Sequence, residues 1–228
     1  NLSIYINLLQ NGKSEKWEHY VSVLQQQANR LTNLVEATLG LSQLDIGQQE
    51  LQLAPVDVNE IVEEIVLGHQ ARAELFDLQL MPKLQPNLAM VMGNRTQLAQ
   101  LITNLVTNAI NYNQPGGQII VETFVAANEP MICLKVTDNG IGIDEAELPH
   151  LFDRFYRGHQ TGQSNIPGTG LGLAIVKEIV ALHQGKIDVV SRLHEGTIFS
   201  VFLPIFRPVE VESTGTQDGI AAVVPSGH

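Results

Sequence analysis

From Trp17 to Leu44 the apolar residues Trp17, Tyr20, Leu24, Leu31, Leu34 and Leu41 keep a three-four alternation, and Val21, Ala28 and Val35 widen the stripe. This predicts a helix of about 28 residues, roughly 40 Å long, which exceeds what a small domain can cover and suits a four-helix bundle. The segment NLSIYINLLQ precedes it across the turn-forming NGKS, so a helical hairpin is expected. One hairpin supplies two helices and a second copy of the chain two more, which makes a homodimer the economical expectation; an intramolecular coiled hairpin is the alternative.

After Asp45 the periodicity changes. ELQLAPVDV reads as a strand, and DVNEIVEEIVLGHQARAELF as a helix with Asp57 or Asn59 near its start. LQLMPKL and LAMVMG read as short strands leading into TQLAQLITNLVTNAINY, where Leu98, Leu101, Ile102, Leu105 and Ala109 mark one helix face and Asn94 or Thr96 the cap. GGQIIVETFVA and PMICLKVTDNG read as strands joined by a polar turn. Residues 144–167 are polar, aromatic and turn-rich without a period. GTGLGLAIVKEIVALHQG reads as a helix closed by Gly185, and KIDVVSR and GTIFSVFLP as a final strand pair. The expected class is α+β: a hairpin over 1–46, an α/β domain of about five strands and three helices over 47–206, and a disordered tail over 207–228.

Composition narrows the function classes. The 228 residues are 44% hydrophobic, enough for real cores, and carry a net charge of −11. Such a surface argues against nucleic acid or an anionic membrane as partner, so any anionic ligand must be held by local features. No apolar run approaches the roughly 18 residues of a membrane span. The lone cysteine, Cys133, excludes a disulfide framework and reads as a buried thiol in a reducing, cytoplasmic setting.

Candidate chemistry sits in four places. Asn104, Asn108 and Asn111 fall within an arc of roughly 60° on one helix. Asparagine forms helices poorly, so the ridge reads either as a polar rim near a helix end or as a ligand or metal site, where a neutral amide oxygen can hold Mg²⁺ without repelling a polyphosphate. Asp138, in DNGIGI at a strand end, can accept a hydrogen bond from an exocyclic amine such as that of adenine, with Gly140 and Gly142 letting backbone approach a flat ring; the same letters are also ordinary turn vocabulary. GTGLGL, before a helix, can present backbone N–H groups and a helix dipole to phosphates, or be a glycine-rich helix entry and no more. FDRFYRG lies in the irregular stretch between these glycine boxes and reads as a lid whose Arg154 or Arg157 reaches a phosphate, or as a loop stapled down by Phe152 and Phe155.

In order and spacing these four stretches resemble the N box (NLVTNAINY), first glycine box (DNGIGI), F box (FDRFYRG) and second glycine box (GTGLGL) of sensor histidine kinases, within the GHKL superfamily of ATPases and kinases. The preceding hairpin is similar to their dimerisation and phosphotransfer domain. The resemblance implies a two-layer α/β sandwich over 47–206 that binds ATP and Mg²⁺. It implies Asn108 as magnesium ligand, Asn104 near the phosphates and Tyr112 against the nucleotide. It further implies Asp138 as partner of the adenine amine, Gly142 under the ring, Gly168, Gly170 and Gly172 at the phosphates, and Thr197 beside the adenine. Asn111, Gly140, Ile143, Tyr156, Thr169 and Leu171 complete the implied cofactor-binding set, and Asn104, Arg154 and Arg157 the catalytic one. The implied activity is transfer of the γ-phosphoryl of ATP to a histidine and onward to an aspartate of a response-regulator receiver domain. Two departures stand out: the family often has a basic residue where Asn111 stands, and its phosphoacceptor box is expected upstream of Asn1, so this chain by itself is expected not to label itself. Membrane attachment is expected only through parts of the parent protein beyond this chain. The alternatives are a gyrase-, mismatch-repair- or chaperone-type ATPase, which carries a water-activating glutamate where Asn104 stands, and a degenerate nucleotide-binding dimerisation module.

Overall fold

The computed structural model describes Trp17, Tyr20, Val21, Val23, Leu24 and residues 53–127, 129–158 and 169–207. The expected hairpin and tail therefore lie almost wholly outside the described residues, as do Gly168 and residues 159–167 of the expected lid.

The chain enters through a short strand, β1 (Ala54–Val56), and then α1 (Val58–Leu75), whose start is set by Asp57: its carboxylate accepts the N–H of Asn59 at 2.8 Å. Ile61, Val62, Ile65 and Val66 give α1 its buried stripe. The helix stops at Phe76 because Asp77 turns left-handed, φ 57°, which lets the N–H of Leu78 bond back to the carbonyl of Ala73 at 2.9 Å. β2 (Gln79–Leu84) and β3 (Val91–Gly93) follow. α2 (Arg95–Asn111) begins at Asn94, whose side chain accepts the N–H of Gln97 at 3.1 Å, and buries Leu98, Leu101, Ile102, Leu105, Val106, Ala109 and Ile110. Then come β4 (Gln118–Val125), β5 (Met131–Asp138), a six-residue 3₁₀ helix (Glu145–His150), α3 (Gly172–Leu182), β6 (Lys186–Arg192) and β7 (Gly196–Pro204).

Five strands form one sheet in the order β2-β4-β5-β7-β6, parallel between β2 and β4 and antiparallel elsewhere. Pro82 sits in β2, at the sheet edge, where its lost N–H leaves no ladder bond unmade. Period-two burial in β4 and β7 turns Ile119, Val121, Phe199, Val201 and Leu203 toward the helices. They meet Ile132, Leu134 and Val136 of β5 and the buried faces of α1, α2 and α3 in one core. The other sheet face is polar and aromatic: Lys135 pairs with Glu122 at 2.6 Å, and Lys186 lies 4.7 Å over the Phe202 ring. The result is a two-layer α/β sandwich, with β1 and β3 as a separate antiparallel pair.

Two local expectations need correction, at Gly185 and at Phe155. The left-handed residue ending α3 is Gln184, φ 54°, and Gly185 instead supplies the N–H that bonds to the carbonyl of Val180 at 2.9 Å. His183 is buried among these elements: its Nε2 accepts the N–H of Asn94 at 3.0 Å, tying the end of α3 to the cap of α2. Burial holds its pKa below the usual histidine value. Phe152 packs against the core as the staple reading expects, whereas Phe155 is 64% exposed.

Candidate active site

α2 and α3 pack side by side, and between them and the ends of β5 and β7 opens a cavity of about 510 Å³. That lies within the roughly 300–1,000 Å³ of ordinary small-molecule sites. Asn104, Asn108 and Asn111 all line it, so the asparagine ridge faces the cavity. Asn104 Nδ2 lies 3.3 Å from the carbonyl oxygen of Gly172 and donates to it, which ties the ridge to the start of α3. Asn111 offers its Oδ1 to Arg72 Nη2 at 2.9 Å.

At the sheet end stands Asp138, the last residue of β5, paired in register with Thr197 of β7. Asp138 Oδ1 accepts the N–H of Gly140 at 2.9 Å. Burial nonetheless pushes its carboxyl up to about 6, against the lowering effect of backbone N–H bonds from Gly140 and Thr197. Thr197 is only 5% exposed, and its hydroxyl lies 2.8 Å from Ser191 Oγ. Ser191 Oγ donates its single hydrogen to the carbonyl of Gly196 at 2.8 Å and accepts the N–H of Ile143 at 2.9 Å. The Thr197 hydroxyl must therefore donate to Ser191, which leaves Thr197 Oγ1 with its lone pairs as an acceptor. Gly142 has φ 68°, and a Cβ there would collide with the carbonyl oxygen of Arg192. The glycine is required by this close backbone approach, independently of any ligand. Gly140 does not line the cavity; its neighbour is the carbonyl of Tyr112.

The opposite end is built from Thr169, Gly170, Gly172 and Leu173 and from Tyr156, Arg157 and Gly158 of the expected lid. Gly170, φ 74°, sits against the backbone of Phe155 and Tyr156, and its carbonyl accepts the Phe155 N–H at 2.9 Å. α3 starts at Leu171 with no side-chain cap, unlike α1 and α2. Its first-turn N–H groups, with the positive end of the helix dipole, belong to residues at the cavity wall, an arrangement that suits phosphate oxygens. Leu171 itself is buried in the core and does not line the cavity. Arg154 also lies off the lining, 3.9 Å from Glu178, whereas Arg157 is on it.

Of the expected site residues the cavity thus gathers Asn104, Asn108, Asn111, Tyr112, Asp138, Gly142, Ile143, Tyr156, Arg157, Thr169, Gly170, Gly172 and Thr197. Sequence reasoning missed Thr107, Gln100 and Thr103, which sit beside the asparagines at helical spacing and were findable from it. It also missed His69 and Arg72, contributed by a helix distant in sequence, and Ser191, whose role is visible only in its bonds. Among the described residues no group of three or more His, Cys, Asp or Glu is arranged to hold a metal ion. The donors at the ridge are neutral amides, which suits a hard cation that arrives with phosphate oxygens and keeps several waters.

Residues 93–207, just over half of the chain, match the family described as histidine kinase-, DNA gyrase B- and HSP90-like ATPase. The chain is 34% identical over 198 residues to Drug sensory protein A of Synechocystis sp. strain PCC 6803, covering 83% of this chain but only 30% of that protein. Other curated relatives are likewise longer, the chain spanning 28% of the circadian input-output histidine kinase CikA of Synechococcus elongatus. Among solved structures, the mycobacterial sensor histidine kinase MprB superposes with a TM-score of 0.58 at 29% identity, over 67% of this chain and 97% of that one. With the sandwich, the cavity between α2 and α3 and these matches together, the chain belongs to the histidine kinase-, DNA gyrase B- and HSP90-like ATPase family and carries a catalytic domain of the sensor histidine kinase type.

Proposed function

We propose that this domain binds ATP with Mg²⁺ in the cavity and transfers the γ-phosphoryl group to a histidine, from which it passes to an aspartate of a response-regulator receiver domain. The observation that carries the reading is the joining of three chemistries in one cavity: a buried carboxylate at the sheet end, an amide ridge along α2, and an uncapped helix start beside glycines. In this reading Asp138 accepts the adenine amine, Tyr112 and Ile143 lie against the nucleotide, and Thr197 supports the ring. Asn104 and Asn108 face the phosphates, with Asn108 as magnesium ligand, and Thr169, Gly170, Gly172 and Arg157 hold phosphate oxygens. Bound there, Mg²⁺ would neutralise part of the triphosphate charge. Catalysis is then positioning and charge neutralisation, as in phosphoryl transfer generally. Asn104 is an amide that donates to Gly172, so it offers no base to activate water, which favours transfer over hydrolysis.

The expected homodimer and its helical hairpin rest on 1–46, almost wholly outside the described residues, and remain part of the proposal for the whole protein. Among the described residues no helix is long and apolar enough to cross a membrane. The test pairs nucleotide choice with transfer. Calorimetry should show ATP binding more tightly than GTP, because GTP presents a carbonyl to Asp138 where ATP presents an amine. Incubation with γ-labelled ATP and a separate sensor-kinase acceptor domain should put acid-labile, base-stable label on that domain. Equal affinities for ATP and GTP would overturn the assignment of Asp138, and free labelled phosphate without labelled acceptor would overturn transfer.

A further inference from the structure

Where α1 runs beside α2, the cavity rim carries two side chains that lie outside the family-matched residues 93–207: His69 and Arg72. They stand one helical turn apart. His69 Nδ1 lies 2.8 Å from the carbonyl of Ile65 and donates to it, which leaves Nε2 facing Thr107 Oγ1 at 3.5 Å. Arg72, in the last turn of α1, donates from Nη2 to Asn111 Oδ1 at 2.9 Å. The bond spans 39 residues of sequence and fixes where the guanidinium stands relative to the amide ridge.

Charge makes that placement consequential. The described arginines and lysines lining the cavity are Arg72 and Arg157, and the cavity also contains the carboxylates Asp138 and Glu147. In a chain of net charge −11, a polyphosphate needs local positive charge to settle there. Asn111 spends its carbonyl on Arg72, so its part is to hold the guanidinium. A guanidinium carries five N–H donors in a planar fork that matches phosphate geometry, and one bond to Asn111 leaves most of that fork to a ligand.

We propose that Arg72, positioned by Asn111, is a phosphate-binding residue of the cavity, so that α1 and not only α2 reads the phosphates. The proposal rests on the reading of the cavity as an ATP site. In physical terms, α1 supplies from outside the helix the positive charge that an asparagine ridge lacks. Arg72 is exposed at the rim, so replacing it leaves the core packing intact.

The test is calorimetric titration of the whole chain, with and without substitution, using ATP, ADP and adenosine, with adenosine read by competition against a fluorescent ATP analogue. Arg72→Gln should weaken ATP and ADP about tenfold and leave adenosine unchanged, the usual scale for one charged hydrogen-bonding partner. Arg72→Lys should recover part of the loss. Asn111→Ala should weaken ATP less, and should add little when combined with Arg72→Gln, since the two act as a unit. ATP binding unaffected by Arg72→Gln would overturn the proposal while leaving the nucleotide site in place. Equal losses for ATP and adenosine would also overturn it, because they would show a role in the shape of the cavity. If the unsubstituted chain bound none of the three ligands, the ATP reading itself would fall and the proposal with it.

Discussion

The two ends of the cavity are built on opposite plans. At the sheet end, Asp138 and Thr197 sit opposite each other in the β5–β7 ladder, and Ser191 ties Thr197, Gly196 and Ile143 together with three bonds between 2.8 and 2.9 Å. At the other end the walls are the uncapped start of α3 and residues 156–158, next to Phe155, which stands left-handed at φ 64° and exposed. One end is fixed by strand register and side-chain bonds; the other is held mainly by backbone contacts around Gly170. In the proposed reading, recognition of the base and control of the phosphates are thereby separated in one cavity.

The sharpest way to break this comparison is at its rigid end. Asp138→Asn should weaken ATP binding tenfold or more and flatten the preference over GTP, since a lost buried partner costs about 1–3 kcal/mol. Calorimetry with both nucleotides checks it, and an unchanged preference would remove Asp138 from recognition.

Acid should imitate that substitution. The carboxyl is held near 6, so it is largely neutral at pH 5, and the ionised form that accepts an amine falls to about a tenth of the total. ATP affinity should therefore drop up to about tenfold between pH 7 and pH 5, less if bound nucleotide itself pulls the carboxyl down. Stability runs the other way for this group. Its folded value lies above the ordinary 3.8, so its contribution is full below that value and is lost as the pH rises through about 6. A titration in which affinity and melting temperature moved together would show that another group dominates.

Along the ridge the expected effect is smaller and depends on metal. Asn108→Ala should weaken binding of a fluorescent ATP analogue several-fold with Mg²⁺ present and little without it, the scale of a lost polar contact to a charged group. An unchanged Mg²⁺ dependence would take the metal away from Asn108.

The smallest free energies belong to the lid. Amides of residues 145–158 should exchange much faster than those of Ile132 to Val136 in β5, and nucleotide should slow them. Exchange equally slow in both segments without nucleotide would erase the contrast between the two ends.

Local order was legible before any fold was known, because caps and periods act over one or two helical turns. Each cap is one of the two candidates the sequence offered, Asp57 of Asp57 and Asn59 and Asn94 of Asn94 and Thr96, and the apolar stripe of α2 is the one its spacing predicts. The four boxes were legible for the same reason: each is a short run whose chemistry depends on its own letters. Convergence is another matter. It was the sheet order β2-β4-β5-β7-β6 that set Asp138 against Thr197, and the crossing of α1 beside α2 that brought Arg72 to Asn111. Residues separated by tens of positions carry no periodic signal of their meeting. The glycines show the same division: their presence at 142 and 170 was plain, but that a neighbouring backbone demands them, at Arg192 and at Phe155 and Tyr156, is a fact of packing. Sequence determined the elements and the chemistry they carry, through short-range forces; the tertiary structure alone decided which of those chemistries share a cavity, because that depends on how buried surfaces fit.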